Sequence, residues 1–293
     1  MTKFLQLTIN GLGSGAVLAL TALGFVLIYK ATEVVNFAQG QFLVIGAFMV
    51  YNATETWGLP WPVAILVGIL TGVLLGVAIE RLILRPLVGE STLAVIMVTI
   101  GLASALFAVV LLVWGTDPRP RPEFVPHTSV GLPFGVNVSA DRIVAVVAAA
   151  VVLAAVGAFF QKSRHGVAMR AVADDQQAAL VQGISVNHIF ALAWALAGAS
   201  AVIGGILLAS LNSGYHAVDL GAFAIFVFPV VILGGLDSVI GTIVGGAIVG
   251  LLYNYTSGYI GRGLEQVVPF VVLVLILMVK PYGLFGQVRI ERV

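Results

Sequence analysis

A stretch rich in carboxamides, VVNFAQGQF (34–42), opens an uncharged run that is otherwise apolar enough to cross a bilayer. Asn36, Gln39 and Gln41 stand beside Gly40, and an amide left unpaired in hydrocarbon costs several kcal/mol. Such a cluster can close a helix start, line a polar route or bond to a neighbouring helix. With Asn36 as N-cap, Gln39 falls at N3 and the pair reads as a variant capping box, which predicts a helix from Phe37. Run to Tyr51, that helix reaches roughly 22 Å at ~1.5 Å per residue, short of the ~30 Å hydrocarbon core. It is therefore expected to start below the membrane surface, after a non-helical entry over 31–35. Buried starts of this kind are tolerated where they are packed in protein or line a cavity. Their free N–H groups suit an anionic solute such as a carboxylate. Residues 36, 39, 40 and 43 share a helix face and Gln41 points away from it, toward a neighbouring helix. Asn36 and Gln39 are thus candidates both for capping and for a substrate path. Asn10, Ser14 and Thr99 supply further amides and hydroxyls near one mouth of that path.

Other chemistry is poorly equipped. The chain holds no G-x-x-x-x-G-K-[ST] phosphate loop, no H-E-x-x-H metal pair and no G-x-S-x-G elbow. Its four histidines (His127, His165, His188 and His216) are scattered, which fits interfacial residues better than ligands. Glu80, Asp219, Asp237 and Glu265 fall near the ends of apolar runs, whereas ion coupling calls for acids within them. No catalytic residue, metal site or cofactor of the chain's own is expected. Cysteine is absent, so neither disulfides nor thiolate chemistry arise.

The elements that must position these residues are membrane helices. Of 293 residues, 60% are hydrophobic and 9% charged, against about 25% charged in soluble domains. A net charge of +1 favours neither nucleic acid nor an acidic partner. Uncharged runs at 4–29, 34–54, 56–79, 91–116, 143–161, 176–218, 220–236, 238–261 and 266–279 predict an all-α, polytopic bundle of eight or nine spans. The runs 220–236 and 266–279 are short enough for one to be re-entrant. The first run is read as a retained helix, since it is too long for a signal-peptide core.

If nine helices alternate from an outside N-terminus, the inside loops hold Lys30, Arg81, Arg85, Lys162, Arg164, Arg170, Lys280, Arg289 and Arg292. The outside keeps Lys3, Arg119, Arg121, Arg142 and Arg262, so the positive-inside rule favours N-out and C-in. The Pro-rich loop 115–138 is then an irregular external cap. Gly68, Gly72 and Gly76, and likewise Gly241/Gly245 and Gly246/Gly250, make small-residue faces for close helix packing, within the chain or between subunits.

The loop 162–187, KSRHGVAMRAVADDQQAALVQGISVN, carries five charges of both signs on the expected inside. Good helix formers over 167–182 predict one helix, with Gly183 where it stops. A short helix with a small-residue face suits a groove on a cytoplasmic partner, and equally an interfacial linker.

At this loop the sequence is recognisable. Gln177-Ala178-Ala179-x-x-x-Gly183 resembles the E-A-A-x-x-x-G core of ABC-importer permeases, with Gln at the Glu position. Gly166-x-x-x-Arg170-Ala171-x-Ala173 resembles the same loop in LivH-type permeases of branched-chain amino-acid importers. Matches at 10–29, 36–48, ERLILRPL (80–87), 233–250 and KPYGLFG (280–286) extend the likeness over nearly the whole chain. Gln41 stands where the family often has an acid, and Asp237 where it usually has Gly.

The resemblance implies one permease domain over 1–293 in a bacterial or archaeal cytoplasmic (inner) membrane. It implies a second, LivM-like permease, two cytoplasmic ATPase subunits holding ATP and Mg, and an extracytoplasmic substrate-binding protein. Coupling then falls on Gly166, Arg170, Asp174, Asp175, Ala178, Ala179 and Gly183. Self-pairing in place of a second permease stays open, as does the solute: branched-chain amino acid, urea, short amide or aromatic acid. An ion-coupled secondary transporter and a structural membrane protein are the competing readings.

Overall fold

The computed structural model describes residues 2–125, 128–132, 135–211, 214–261 and 263–286. His127, Arg262, Arg289 and Arg292 lie outside them. The described chain is a helical bundle. Apolar helices are α1 (Thr2–Thr32), α2 (Gln39–Tyr51), α3 (Trp61–Ile79), α4 (Thr92–Trp114), α5 (Ala140–Lys162), α8 (Val186–Leu211), α9 (Ala217–Gly234), α10 (Val239–Tyr255) and α11 (Val268–Val279). Two short helices, α6 (Arg164–Asp174) and α7 (Gln176–Val181), stand between α5 and α8. Seven helices are long and apolar enough to cross a membrane; α2 and α11, with 13 and 12 residues, are shorter. The 220–236 run does form a full-length helix, α9, with Pro229 inside it.

Side-chain contacts sort the chain ends of these helices into two groups. At one end Gln6 bonds Asn137, Trp61 stacks on Phe124, and Arg119 and Tyr215 exchange backbone hydrogen bonds of 2.9 and 3.0 Å. At the other, Lys30 lies over the Phe160 ring, Arg85 bonds Glu80, and Leu284 N donates to the Leu233 carbonyl. The loop 115–138, expected to be irregular, contains all but the last residue of a β-hairpin: β1 (Ser129–Leu132) pairs antiparallel with β2 (Val136–Ser139), in the register Ser129↔Ser139. Alternating residues in Val-Asn-Val-Ser bury Val136 and Val138, a period-two signal too short to stand out in a Pro-rich loop. Tyr215 is wedged among Phe48, Tyr51 and Arg119, and burial, helped by Glu55, pushes its hydroxyl above the usual tyrosine range.

The glycine faces pack within the chain. In lipid, helix association gains little from hydrophobic burial and depends on close approach of backbones. Gly11 and Gly15 of α1 meet Gly246 and Gly250 of α10, where a Cβ on Gly15 would stand 2.5 Å from the Gly246 carbonyl oxygen. Gly241 and Gly245, on another face of α10, meet Gly234 and Val230 of α9. Gly72 and Gly76 of α3 press on the backbone of Gly198 and Trp194 in α8, and Gly68 on the side chain of Val50. The core that results is built around α1 and α8, most of whose residues are buried, while α3, α4 and α5 turn large apolar side chains outward.

Gly198→Val should therefore separate α3 from α8, because its Cβ lands on the Gly72 carbonyl. The expected cost is on the order of 3 kcal/mol, typical of severe overpacking. Gly101→Ala meets open space, so its thermal unfolding midpoint in detergent should equal or exceed that of the parent.

Candidate functional site

Three polar regions stand out in this apolar protein, and the first is a cavity. The glycine contact of α1 with α10 sets Ser14 beside Asn254, whose Nδ2 lies 3.4 Å from the Ser14 hydroxyl and donates to the Gly250 carbonyl at 3.0 Å. Both residues line a cavity of about 750 Å³ bounded by α1, α5, α8, α9, α10 and α11. Its walls are largely apolar, with Val17, Leu18, Phe223, Phe226 and Val249 among them. Charges of both signs line it too: Arg121, Arg142, Asp219 and Glu265, with His216. Arg142 Nη1 donates to the Asn10 carbonyl at 3.2 Å, and His216 Nδ1 sits 3.6 Å from Asp219. Pro229, also on the wall, has no N–H, so α9 lacks the hydrogen bond to the Ile225 carbonyl.

The second region is the start of α2. The chain leaves α1 at Thr32, turns at Glu33 (φ 58°) and runs without helix to a turn at 37–38. The helix begins at Gln39 rather than Phe37, and its N-cap position is Ala38, which makes no side-chain cap bond. Asn36 does not cap the helix in the expected way. Its Oδ1 accepts from Ala38 N at 3.0 Å, closing a local turn, and its Nδ2 donates to Gln39 Oε1 at 3.3 Å. Gln39 Nε2 in turn donates to the Ala197 carbonyl of α8 at 3.2 Å. Thr99 bonds the Val35 and Ile96 carbonyls at 3.4 and 2.9 Å. These bonds satisfy Ala38 N and the Val35 carbonyl of the irregular entry, and Asn36, Gln39 and Thr99 are fully buried.

Gln39 touches Gly24, ~12 Å from the Thr32 end of α1 at ~1.5 Å per residue, so α2 does start well inside the bundle. Its first turn is covered by protein: Gly40 packs on Gly221 and Ala224 of α9, away from Gln39 and Leu43, which face α8. Gln41 lies with Gly40 on the α9 side, near Gly221, and its buried Oε1 has no hydrogen-bond partner.

Of the expected path residues, Ser14 lines the cavity and Asn10 abuts it through Arg142. Asn36, Gln39 and Thr99 belong to the second region. Arg142, Asp219 and Glu265 carried no sequence signal beyond their place near span ends. Only folding brings them to one cavity.

The third region is the loop after α5. The single helix expected over 167–182 is two helices, broken at Asp175, which adopts an extended conformation (φ −157°, ψ 110°). The Asp175 carboxylate accepts from Ala178 N at 2.9 Å and so starts α7. Ser163 starts α6 likewise, accepting from Gly166 N at 2.8 Å. Gly166 packs so closely on Phe159 and Phe160 that a Cβ has no room. Arg170 and Asp174 lie close enough to Lys30 of α1 to act on its charge. Gly183 takes a left-handed conformation (φ 79°) past the end of α7. Ala178 faces outward and Ala179 is buried. The apolar groups that the loop exposes are Val167, Leu180 and Val181, the last 86% exposed.

Comparison with known proteins follows the same outline. A family model described as branched-chain amino acid transport system / permease component matches residues 7–277. The chain is 29% identical to the high-affinity branched-chain amino acid transport system permease protein BraD of Pseudomonas aeruginosa, covering 99% of this chain and 98% of that one. It is 30% identical to LivH of Escherichia coli strain K12, a permease of the same description, with the same coverage. A probable branched-chain amino acid transport permease LivH of Methanocaldococcus jannaschii is 29% identical over 92% of this chain and 88% of its own. The structure of PsaBC from Streptococcus pneumoniae in complex with Fab is similar in fold alone, with TM-score 0.50 at 16% identity over 94% of this chain and 95% of that one.

Asn36→Leu should leave Ala38 N and Gln39 Oε1 without partners and cost about 2 kcal/mol, since each orphaned buried group carries a penalty of ~1–3 kcal/mol. Gln41→Leu removes an acceptor that is already unpaired and should be neutral or stabilising. Thermal unfolding of the two purified variants checks the order.

Proposed function

This chain belongs to the branched-chain amino acid transport permease family, and on that premise we propose that it is the membrane subunit of an ABC importer. It is a multi-pass transport component and not an enzyme. In this reading it passes branched-chain amino acids or a related small solute. ATP hydrolysis takes place on two cytoplasmic ATPase subunits, which hold the Mg. A second, LivM-like permease completes the pathway, and an extracytoplasmic binding protein delivers the solute.

The observation that carries the reading is the pairing of two regions at opposite ends of the bundle. One end opens a cavity of about 750 Å³, and the other presents two short helices with exposed Val167, Leu180 and Val181. With the N-terminus outside, the cavity faces the binding protein and the helices face the ATPases, in keeping with the surplus of Lys and Arg at the helix-loop end. Apolar walls below groups of both signs suit a zwitterion with an apolar side chain better than urea or a neutral amide. Of the expected coupling residues, Arg170 and Asp174 act beside Lys30, Asp175 and Gly183 shape α7, and Gly166 and Ala179 hold the pair of helices on the bundle. Ala178, Leu180 and Val181 then supply the surface that an ATPase groove accepts.

The competing secondary transporter needs a titrating acid along the route. Among the described residues the buried acids are Glu80, which is paired with Arg85, and Asp141, in the first turn of α5. The acids that line the cavity, Asp219 and Glu265, stand in the first turn of α9 and just before α11, near span ends and not in the middle of a span.

The test is reconstitution of this chain with its partner subunits in proteoliposomes. Uptake should require ATP inside and the binding protein outside, and should survive an uncoupler that collapses ion gradients. Uptake that follows an ion gradient without ATPase subunits would overturn the assignment. Leu180→Asp with Val181→Asp should cut co-purification of the ATPase subunits at least fivefold, because a groove built for apolar groups would have to bury two carboxylates. Ala222→Trp, on the cavity wall, should lower uptake at least tenfold with ATPase co-purification unchanged.

A further inference from the structure

Glu80 is a carboxylate buried in an apolar bundle, with 2% of its side chain exposed. Its partner is five residues away. Arg85 Nε and Nη2 both donate to Glu80 Oε1 at 3.1 Å, and Nη2 donates to Oε2 at 2.9 Å. In an α-helix, residues five apart point about 140° away from each other, so a regular continuation of α3 would separate them. Here α3 passes into a π-helical turn, Glu80–Leu84, closed by Arg85 N on the Glu80 carbonyl, and then into a tighter turn, Arg85–Leu87, containing Pro86. The wider winding swings Arg85 back over Glu80. Such inserted turns are uncommon and often mark functional positions.

The same guanidinium has a second reach. Arg85 Nη2 lies 3.5 Å from the carbonyl oxygen of Asn187, in the first turn of α8. That turn follows directly on α6 and α7, with four residues (182–185) between α7 and α8. Further along, α3 and α8 are in backbone contact through Gly72 with Gly198 and Gly76 with Trp194. A displacement of α6 and α7 is therefore passed along this short link to the turn of α8 that Arg85 holds. A carboxylate stripped of its cation in this setting is expensive, so Arg85 cannot leave Glu80 cheaply to follow α8 alone.

We propose that the Glu80–Arg85 pair is a positioning device that makes α3 and α8 move as one when the α6–α7 helices are displaced. This rests on the importer reading above and adds to it a route by which motion at the loop enters the membrane helices. Without the pair, α8 yields locally and the work of ATP hydrolysis is lost as slippage.

The experiment uses the assembled complex in proteoliposomes and reads solute taken up per ATP hydrolysed. Glu80→Gln and Arg85→Gln should assemble, keep ATPase activity within twofold and lose at least tenfold in uptake per ATP. Arg85→Lys keeps a cation at Glu80 but lacks the fork that also reaches Asn187, and should lose about threefold. Because the chain has no cysteine, spin labels can be placed at Arg81→Cys and His188→Cys, both exposed positions, without removing a native thiol. The distance between them should stay fixed between nucleotide-free and ATP-bound complexes, and should shift by several ångström in Arg85→Gln. Wild-type uptake per ATP in Glu80→Gln or Arg85→Gln would overturn the proposal. So would loss of assembly in both with full coupling and an unchanged label distance in Arg85→Lys, which would leave the pair a role in stability alone. Failure of the parent complex to use ATP would instead overturn the importer reading.

Discussion

Backbone touching backbone is the constraint on which this structure depends. A bilayer gives two apolar helices little reason to prefer each other to lipid, so affinity must come from close packing. Glycines at four-residue intervals supply it, since helical positions four apart share a face. Gly11 and Gly15 bind α1 to α10, Gly72 and Gly76 bind α3 to α8, and Gly241 and Gly245 bind α10 to α9. The polar regions follow from these contacts. Ser14 meets Asn254 because the α1–α10 contact is a glycine contact, and Arg85 reaches Asn187 because α3 lies directly on α8.

The buried start of α2 shows the complementary rule, that irregular backbone inside a membrane protein must find its own partners. Asn36 supplies one from within the segment and Thr99 of α4 another, while Gln39 ties the start of α2 to α8, which helps a non-helical entry persist among fully buried residues. Gln41 is an exception at this helix start, a buried acceptor without a donor between α2 and α9.

The two ends of the molecule differ in chemistry. A cavity with walls mostly apolar and charges of both signs occupies one end. The other carries side chains that pack inward, such as Ala179, next to ones that have nothing of this chain to cover them, such as Val181. Between them α1 and α8 run as the most buried long helices, α1 ending beside α6 and α8 beginning beside α6 and α7.

The sequence by itself determined the class: low charge and long uncharged runs leave a polytopic helical bundle, and the family motifs lie in order along the chain. It also located the glycine faces of α3 and α10, because a four-residue repeat is visible there, whereas the Gly11/Gly15 face of α1 emerges only from the packing. It placed a break before α2, because a helix to Tyr51 is too short to span. The tertiary structure decided what those features touch. Asn36 closes a turn and not a helix, since Gln39 is drawn to Ala197 of α8, a residue 158 positions away. Asp175 splits the loop helix, a choice between helix interior and cap that two adjacent aspartates leave open. Arg142, Asp219 and Glu265 read as unrelated charges near span ends until folding sets them around one cavity. Periodicity is a local property of the chain, whereas the partner of a buried polar group is fixed only when distant helices pack.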